Sequence, residues 1–345
     1  MKPLFKICVA NSLNHDFKPI FALIIGVLLL FFFSILSLSI GHEFIQPNIV
    51  LDSFQHYDPT NLQHILVQTT RISRTVLALI IGACLAVAGA LMQALTRNTL
   101  ASPSLFGINS GAMFSIVIFS SFISLSRIQD YMYLAMLGAT IAGCLVYFLG
   151  TAKNGQLHTL KFVLAGAAIS ALFTALTQAM LVIDQESLDS ILFWLAGSIS
   201  DRQLNVVAPI FPFLCLGLVL SLVLALPINI LMAGEEIAKS LGQRTVLLQI
   251  TMGLIIILLA GGAVAIAGSI AFVGLIVPHI VRLIVSKHYQ WLLPGCIIYG
   301  ALLLVISDLI ARILIFPQEI PIGVMTALLG GPVFIYLIRQ GMRNG

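Results

Sequence analysis

Ten apolar runs, most of them close to the length of a bilayer-crossing helix, dominate this chain of 345 residues. They fall near 19–41, 75–95, 104–123, 131–150, 160–183, 204–228, 247–267, 270–286, 291–311 and 320–338. A hydrocarbon core about 30 Å thick takes roughly 20 residues of helix, so each run is a candidate span. Inside lipid the backbone must satisfy its own hydrogen bonds, and separate apolar runs do this as helices. The residues are 59% hydrophobic and only 9% charged, outside the range of soluble globular domains. The pattern predicts an all-α polytopic membrane protein with ten transmembrane helices, the eighth short and bounded by Gly268 and Pro278.

Lys2, Lys6 and Lys18 precede the first run. That run is too long for a cleavable leader and no small-x-small site follows it, so it reads as a retained helix. The expected organisation is a cytoplasmic segment 1–18, one transmembrane domain over 19–340 with a charged loop at 229–246, and a tail at 341–345. Cys8, Cys84, Cys144, Cys215 and Cys296 show no metal-ligand spacing and no disulfide framework. Four of them lie inside spans, where a thiol behaves as a small apolar group. No metal site and no nucleic-acid partner are expected.

Orientation follows from the loop lysines and arginines. With both termini inside, the cytoplasmic set is Lys2, Lys6, Lys18, Arg97, Lys153, Lys161, Lys239, Arg244, Arg282, Lys287, Arg339 and Arg343. The outer set is Arg71, Arg74, Arg127, Arg202 and Arg312. Twelve against five, out of 17, predicts an N-in, C-in arrangement. Most of the outer arginines border acidic residues, but Arg71 and Arg74 in "TTRISRT" have none nearby in sequence.

Ionisable groups within spans are functional candidates by default, and here they are few. Asp308 lies one helical turn before Arg312, a spacing at which opposite charges neutralise each other locally. His279 follows Pro278 and reads as a helix-packing hydrogen-bonder. The acidic relays and broken midplane helices of ion-coupled carriers are scarcely represented. GxxxxGK[ST] is missing, so the chain has no phosphate cradle of its own, and neither HExxH nor a Ser/His/Asp set suggests a hydrolase. Catalytic residues are therefore expected to be none. Gly82, Ala86 and Gly89 recur at helical spacing, as do Gly261, Gly262, Gly268 and Gly274 further on, which suits close helix packing. Gln93 is the candidate polar residue of a pathway.

Against this background "AGEEIAKSLG" at 233–242 stands out as a charged, helix-forming piece in a cytoplasmic loop. Glu235 and Lys239 stand at i,i+4, Ile237 and Leu241 share another face, and Gly242 suits a helix end. A solvated amphipathic loop helix is the alternative reading.

Four stretches together resemble the FecCD-type permeases of ABC importers for ferric siderophores and vitamin B12. They are "RISRTVLALIIGACLAVAGALMQALTRNTLASPSLFGINSGA" from 71, "GEEIAKSLG" from 234, "GSIAFVGLIVPHIVRLI" from 268 and "PQEIPIGVMTALLGGPVFIYLI" from 317. They keep the family's order and spacing from about residue 60 to the C-terminus. The resemblance implies ten spans per subunit and a second permease copy, identical or related. It also implies two ABC ATPase subunits on the cytoplasmic side and a substrate-binding protein outside. ATP and magnesium would belong to the ATPase, with no cofactor in this chain.

The resemblance further implies site residues. Gly234, Glu235, Glu236, Ile237, Ala238, Lys239, Leu241 and Gly242 match the short helix that couples to the ATPase. Arg71, Arg74 and Arg312 match outer arginines that meet acidic residues of the binding protein; guanidinium groups suit this because they pair carboxylates bidentately. Lipid headgroup anchoring competes for the first two, and Asp308 for the third. "RNTLASP" and "LHTLK" match the inner gate loops, with Asn98, Leu100, Thr159 and Leu160 as candidates. The family commonly has proline and an acid where Thr99 and Ser102 stand, and Asp-His-Arg where His288, Tyr289 and Gln290 stand. The segment 184–200 is acidic at its start and matches a short outer helix, with interfacial anchoring by Trp194 as the alternative.

The expected function is a permease subunit in the bacterial inner membrane that translocates a ferric siderophore. Vitamin B12 or haem is the alternative substrate, and an ion-coupled secondary transporter the alternative class.

Overall fold

The computed structural model describes residues 2–41, 43–122, 127–151, 159–183, 196–200, 202–315 and 318–343. These form an all-helical bundle. In chain order the helices are α1 (Lys2–Ser39), α2 (Pro47–Gln55), α3 (Leu62–Leu66), α4 (Ile72–Thr96), α5 (Ile108–Phe122), α6 (Ile128–Gly150) and α7 (Thr159–Ile183). There follow α8 (Leu204–Val207), α9 (Phe211–Val223), α10 (Ala225–Ala233), α11 (Glu235–Ser240), α12 (Thr245–Ala267), α13 (Val273–Ile284), α14 (Tyr289–Ile313) and α15 (Ile322–Arg343). Segment 2–18 is helical and continuous with the first apolar helix.

Among the described residues, six helices are long and apolar enough to cross a membrane: Lys18–Ser39, Leu62–Thr96, Ile128–Gly150, Leu160–Val182, Thr245–Ala267 and Tyr289–Ile313. The run over 204–228 holds α8, α9 and the start of α10, and α9 and α10 are bent by 49° at Leu224. Three further helices have shorter apolar stretches among the described residues, Ile108–Phe122, Val273–Ile284 and Ile322–Tyr336, the last within an α15 that continues to Arg343. The first two start late for a local reason. A 3₁₀ turn at Pro103–Phe106 and Gly107 at φ 67° delay the start of α5. Gly268 at φ 73° ends α12, and Phe272, a non-glycine at φ 67°, delays α13. Such left-handed backbone is uncommon for a bulky residue. Parts of both segments are buried: Pro103, Phe106 and Gly107 before α5, and Ile270 before α13. Gly274 packs against Leu85 and Gly89 of α4 and against Pro103.

Helix α4 is the axis of the bundle. Its apolar window is 83% buried, against 17% for those of α1 and α7, whose apolar faces lie on the outside. Lipid tails are as apolar as leucine, so burial alone does not drive helices together in a membrane; close backbone contact does more. A methyl group on Gly82 would lie 2.3 Å from the Gly300 carbonyl oxygen of α14, and one on Gly89 1.8 Å from that of Gly274 in α13. The small-residue stripe of α4 thus receives two neighbouring helices, as its spacing suggested.

Candidate functional sites at the two ends of the bundle

At one end, α4 begins with a π-helical turn over Val67–Arg71, which adds a residue to the helical ladder. Arg71 and Arg74, on the inner side of this turn, are both buried. Arg74 Nε donates to Asp308 Oδ1 at 2.8 Å and its Nη1 to Glu319 Oε2 at 2.6 Å. Arg312 pairs with the second oxygen of Asp308, which is 0% exposed. Ser200 Oγ also donates to Glu319 Oε2, at 3.0 Å. Two arginines and two carboxylates therefore share one network that cancels their charge across α4, α14 and the segment before α15.

The same arginines finish α1. The last carbonyls of a helix have no intrahelical partner and carry its negative pole. Arg71 Nη1 donates to the carbonyls of Leu38 and Ser39 at 2.8 and 2.6 Å, and Nη2 to that of Glu43. Arg312 Nη1 donates to the carbonyls of Ser37 and Ile40, both at 3.0 Å. Ser37 Oγ and Thr75 Oγ1 are 2.8 Å apart beside them.

The acid-free neighbourhood of Arg71 and Arg74 is thus a property of the sequence only. In the fold Arg74 has two carboxylates, both supplied from more than 230 positions away, and Arg71 is spent on backbone oxygens. The i,i+4 pairing of Asp308 with Arg312 is present, with Arg74 as a third member. Sequence reading missed Glu319, whose only signal was an acid between two prolines in "PQEIP". Arg74 does reach the surface, in a shallow pocket with Thr69, Thr70, Ile199, Arg202 and Gln203.

The other end carries α11. Gly234 at φ 138° breaks the chain out of α10, and Glu235 and Glu236 then occupy the first turn, where the helix dipole favours negative charge. Lys239 Nζ sits 2.9 Å from Glu235 Oε1, and Gly242 at φ 79° lets the chain leave the helix. Ala238 is fully buried, whereas Ile237 and Leu241 are 51% and 68% exposed. A short helix thus presents two aliphatic side chains and two carboxylates outward.

Near it lie the gate candidates. Asn98 Oδ1 accepts from the Leu100 amide at 3.0 Å and shapes the loop after α4. Leu100 and Leu160 are exposed, and the loop meets the start of α7 through an edge-to-face contact of Phe106 and Phe162 with centroids 4.9 Å apart. Thr159 opens α7. Gln93 is 2% exposed and turned between helices: Nε2 donates to the Leu275 carbonyl at 3.3 Å, and Oε1 accepts from Arg282. In this chain its side chain joins α4 to α13. The proposed outer helix at 184–200 lies outside the described residues except for 196–200.

The FecCD transport family matches residues 28–340. The chain is 45% identical over 294 residues to the "Probable siderophore transport system permease protein YfiZ" of Bacillus subtilis, spanning 85% of this chain and 88% of that protein. It is 37% identical to the ferric enterobactin transport system permease protein FepD of Escherichia coli, spanning 92% and 95%. Among solved structures, an inward-facing metal-chelate type ABC transporter superposes with a TM-score of 0.81 at 31% identity, covering 92% of this chain and 98% of that one.

Proposed function

Since the chain belongs to the FecCD transport family, and is a multi-pass permease of the bacterial cytoplasmic membrane, we propose that it moves a ferric siderophore inward at the expense of ATP hydrolysed by a partner. The observation that carries this reading is α11, an exposed helix with carboxylates and aliphatic side chains outward, on a chain without a nucleotide-binding motif. The motor must then be another subunit, and α11 is the surface offered to it. ATP and magnesium stay with that subunit.

The finer arrangement is ten spans with both termini inside. Six long helices, the bent pair and three helices with shorter apolar stretches support that number, and the loop charges favour that direction. A second permease copy completes the path. A ligand-loaded binding protein docks at the end carrying Arg71, Arg74 and Arg312. Arg74 is the group that its carboxylates reach through the pocket beside Arg202, while Arg71 and Arg312 hold α1 in place. Asn98, Leu100, Thr159 and Leu160 narrow the inner end. Movement of α11 alternates which end is open.

A haem permease is among the relatives, HmuU of Yersinia pestis at 37% identity, so haem is the second substrate class to assay. The test is uptake of radio-iron as ferric citrate, ferric hydroxamate, ferric catecholate and haem by cells with and without this chain. Uptake of a ferric chelate that stops on ATP depletion and survives an uncoupler is the expected result. Uptake that follows the proton gradient, and is abolished by Asp308→Asn in a stably folded variant, would overturn it in favour of an ion-coupled carrier.

A further inference from the structure

The bent helix α10 leads straight into α11, and its polar ties run to the interior of the bundle. Gln243 Nε2, just after α11, donates to the Pro227 carbonyl at 2.8 Å, folding the loop back on α10. Asn229 Oδ1 accepts from the Tyr289 amide at 2.8 Å, one of the donors left open at the start of α14. The Tyr289 side chain, 4% exposed, interacts with the guanidinium of Arg282 in α13. Arg282 in turn donates to Gln93 Oε1 of α4, and Gln93 Nε2 holds the Leu275 carbonyl of α13. The last three residues of α4 and Arg97 separate Gln93 from Asn98, whose amide donates to the Gln93 carbonyl at 3.2 Å. A continuous polar path therefore connects α11 to the loop carrying Asn98 and Leu100.

We propose that Asn229, Tyr289, Arg282 and Gln93 form the linkage by which displacement of α11 is carried to the inner gate loop. The inference rests on the transport reading above and adds the route of coupling to it. Three observations favour a linkage over a set of static braces. The path begins on α10, which a 49° bend at Leu224 sets off from α9 as a separate helical segment. Each joint is a hydrogen bond or polar contact between different helices, so each helix can move as a rigid body while its neighbours follow. Gln93, which ends the path, is buried with both ends of its amide engaged, so a shift of Arg282 cannot be absorbed by water. Contiguous hydrogen-bond networks between rigid elements are one physical means of carrying such coupling.

The test uses the chain assembled with its ATPase and binding protein in lipid vesicles, with the radio-iron chelate that the wild type imports. Asn229→Leu and Gln93→Leu are expected to keep ATP hydrolysis and to raise the ATP consumed per chelate imported by about tenfold. Asn229→Asp, which keeps the acceptor, stays near wild type. The double variant Asn229→Leu/Gln93→Leu is no worse than either single one, because both break one path. Arg282→Lys, a milder change, gives a smaller rise. Import and hydrolysis falling in proportion, or the two single effects multiplying in the double variant, would overturn the linkage. Wild-type vesicles that bind no ATPase and import nothing would overturn the transport reading instead, so the two failures are distinguishable.

Discussion

The two ends of the bundle hold themselves in opposite ways. Around Arg74 the joints are ionic, buried and shared: Asp308 serves two arginines, Arg74 serves two carboxylates, and the end of α1 hangs on Arg71 and Arg312. Around α11 the joints are mostly neutral and single, and among the described residues the ion pair of Glu235 with Lys239 lies within one exposed helix. Removing one member of a buried charge network strands the others, whereas removing a surface pair changes little. One end is therefore suited to staying put while the other moves.

That contrast is sharpest at Asp308. Asp308→Asn leaves two buried guanidinium groups short of charge, and a loss of about 3–5 kcal/mol is expected, seen as poor folding yield and a lower Tm in detergent. Combining it with Arg312→Met should recover part of the loss. A variant as stable as wild type would break the distinction between the ends. Gly89→Val, in the middle of the bundle, forces α4 from α13 and is expected to cost about 1–3 kcal/mol by the same assay. Lys239→Ala removes only the exposed i,i+4 pair, with a change of about 0.2–0.5 kcal/mol. A shift as large as that of Gly89→Val would place α11 among the rigid parts.

Much of the fold was legible because its signals are local. Apolar run length marked the helices, and the small-residue spacing of α4 marked the face that receives α13 and α14. The form of α11 followed from Gly234, the i,i+4 pair and Gly242, all within nine residues. The break at Leu224 had a signal that the hydropathy pattern hid: Pro227 in "LSLVLALPIN" has no amide to give the Val223 carbonyl four residues back, beside the bend. The partners of Arg74 were not legible: its carboxylates come from α14 and the segment before α15, and sequence distance hides them. Gln93 looked like a lone polar group in a span because Arg282 is 189 positions away.

The most direct test concerns the claim that α11 is where the motor engages. The chain carrying Glu235→Lys and Glu236→Lys should fold as well as wild type, because both carboxylates lie at a half-exposed helix start. Tagged wild-type and variant chains are purified from native membranes under the same mild detergent, and the ATPase recovered with each is measured. Recovery with the wild type and loss of at least about tenfold with the folded variant is the predicted result, equivalent to about 1.4 kcal/mol of contact or more. Equal recovery with both chains would contradict it.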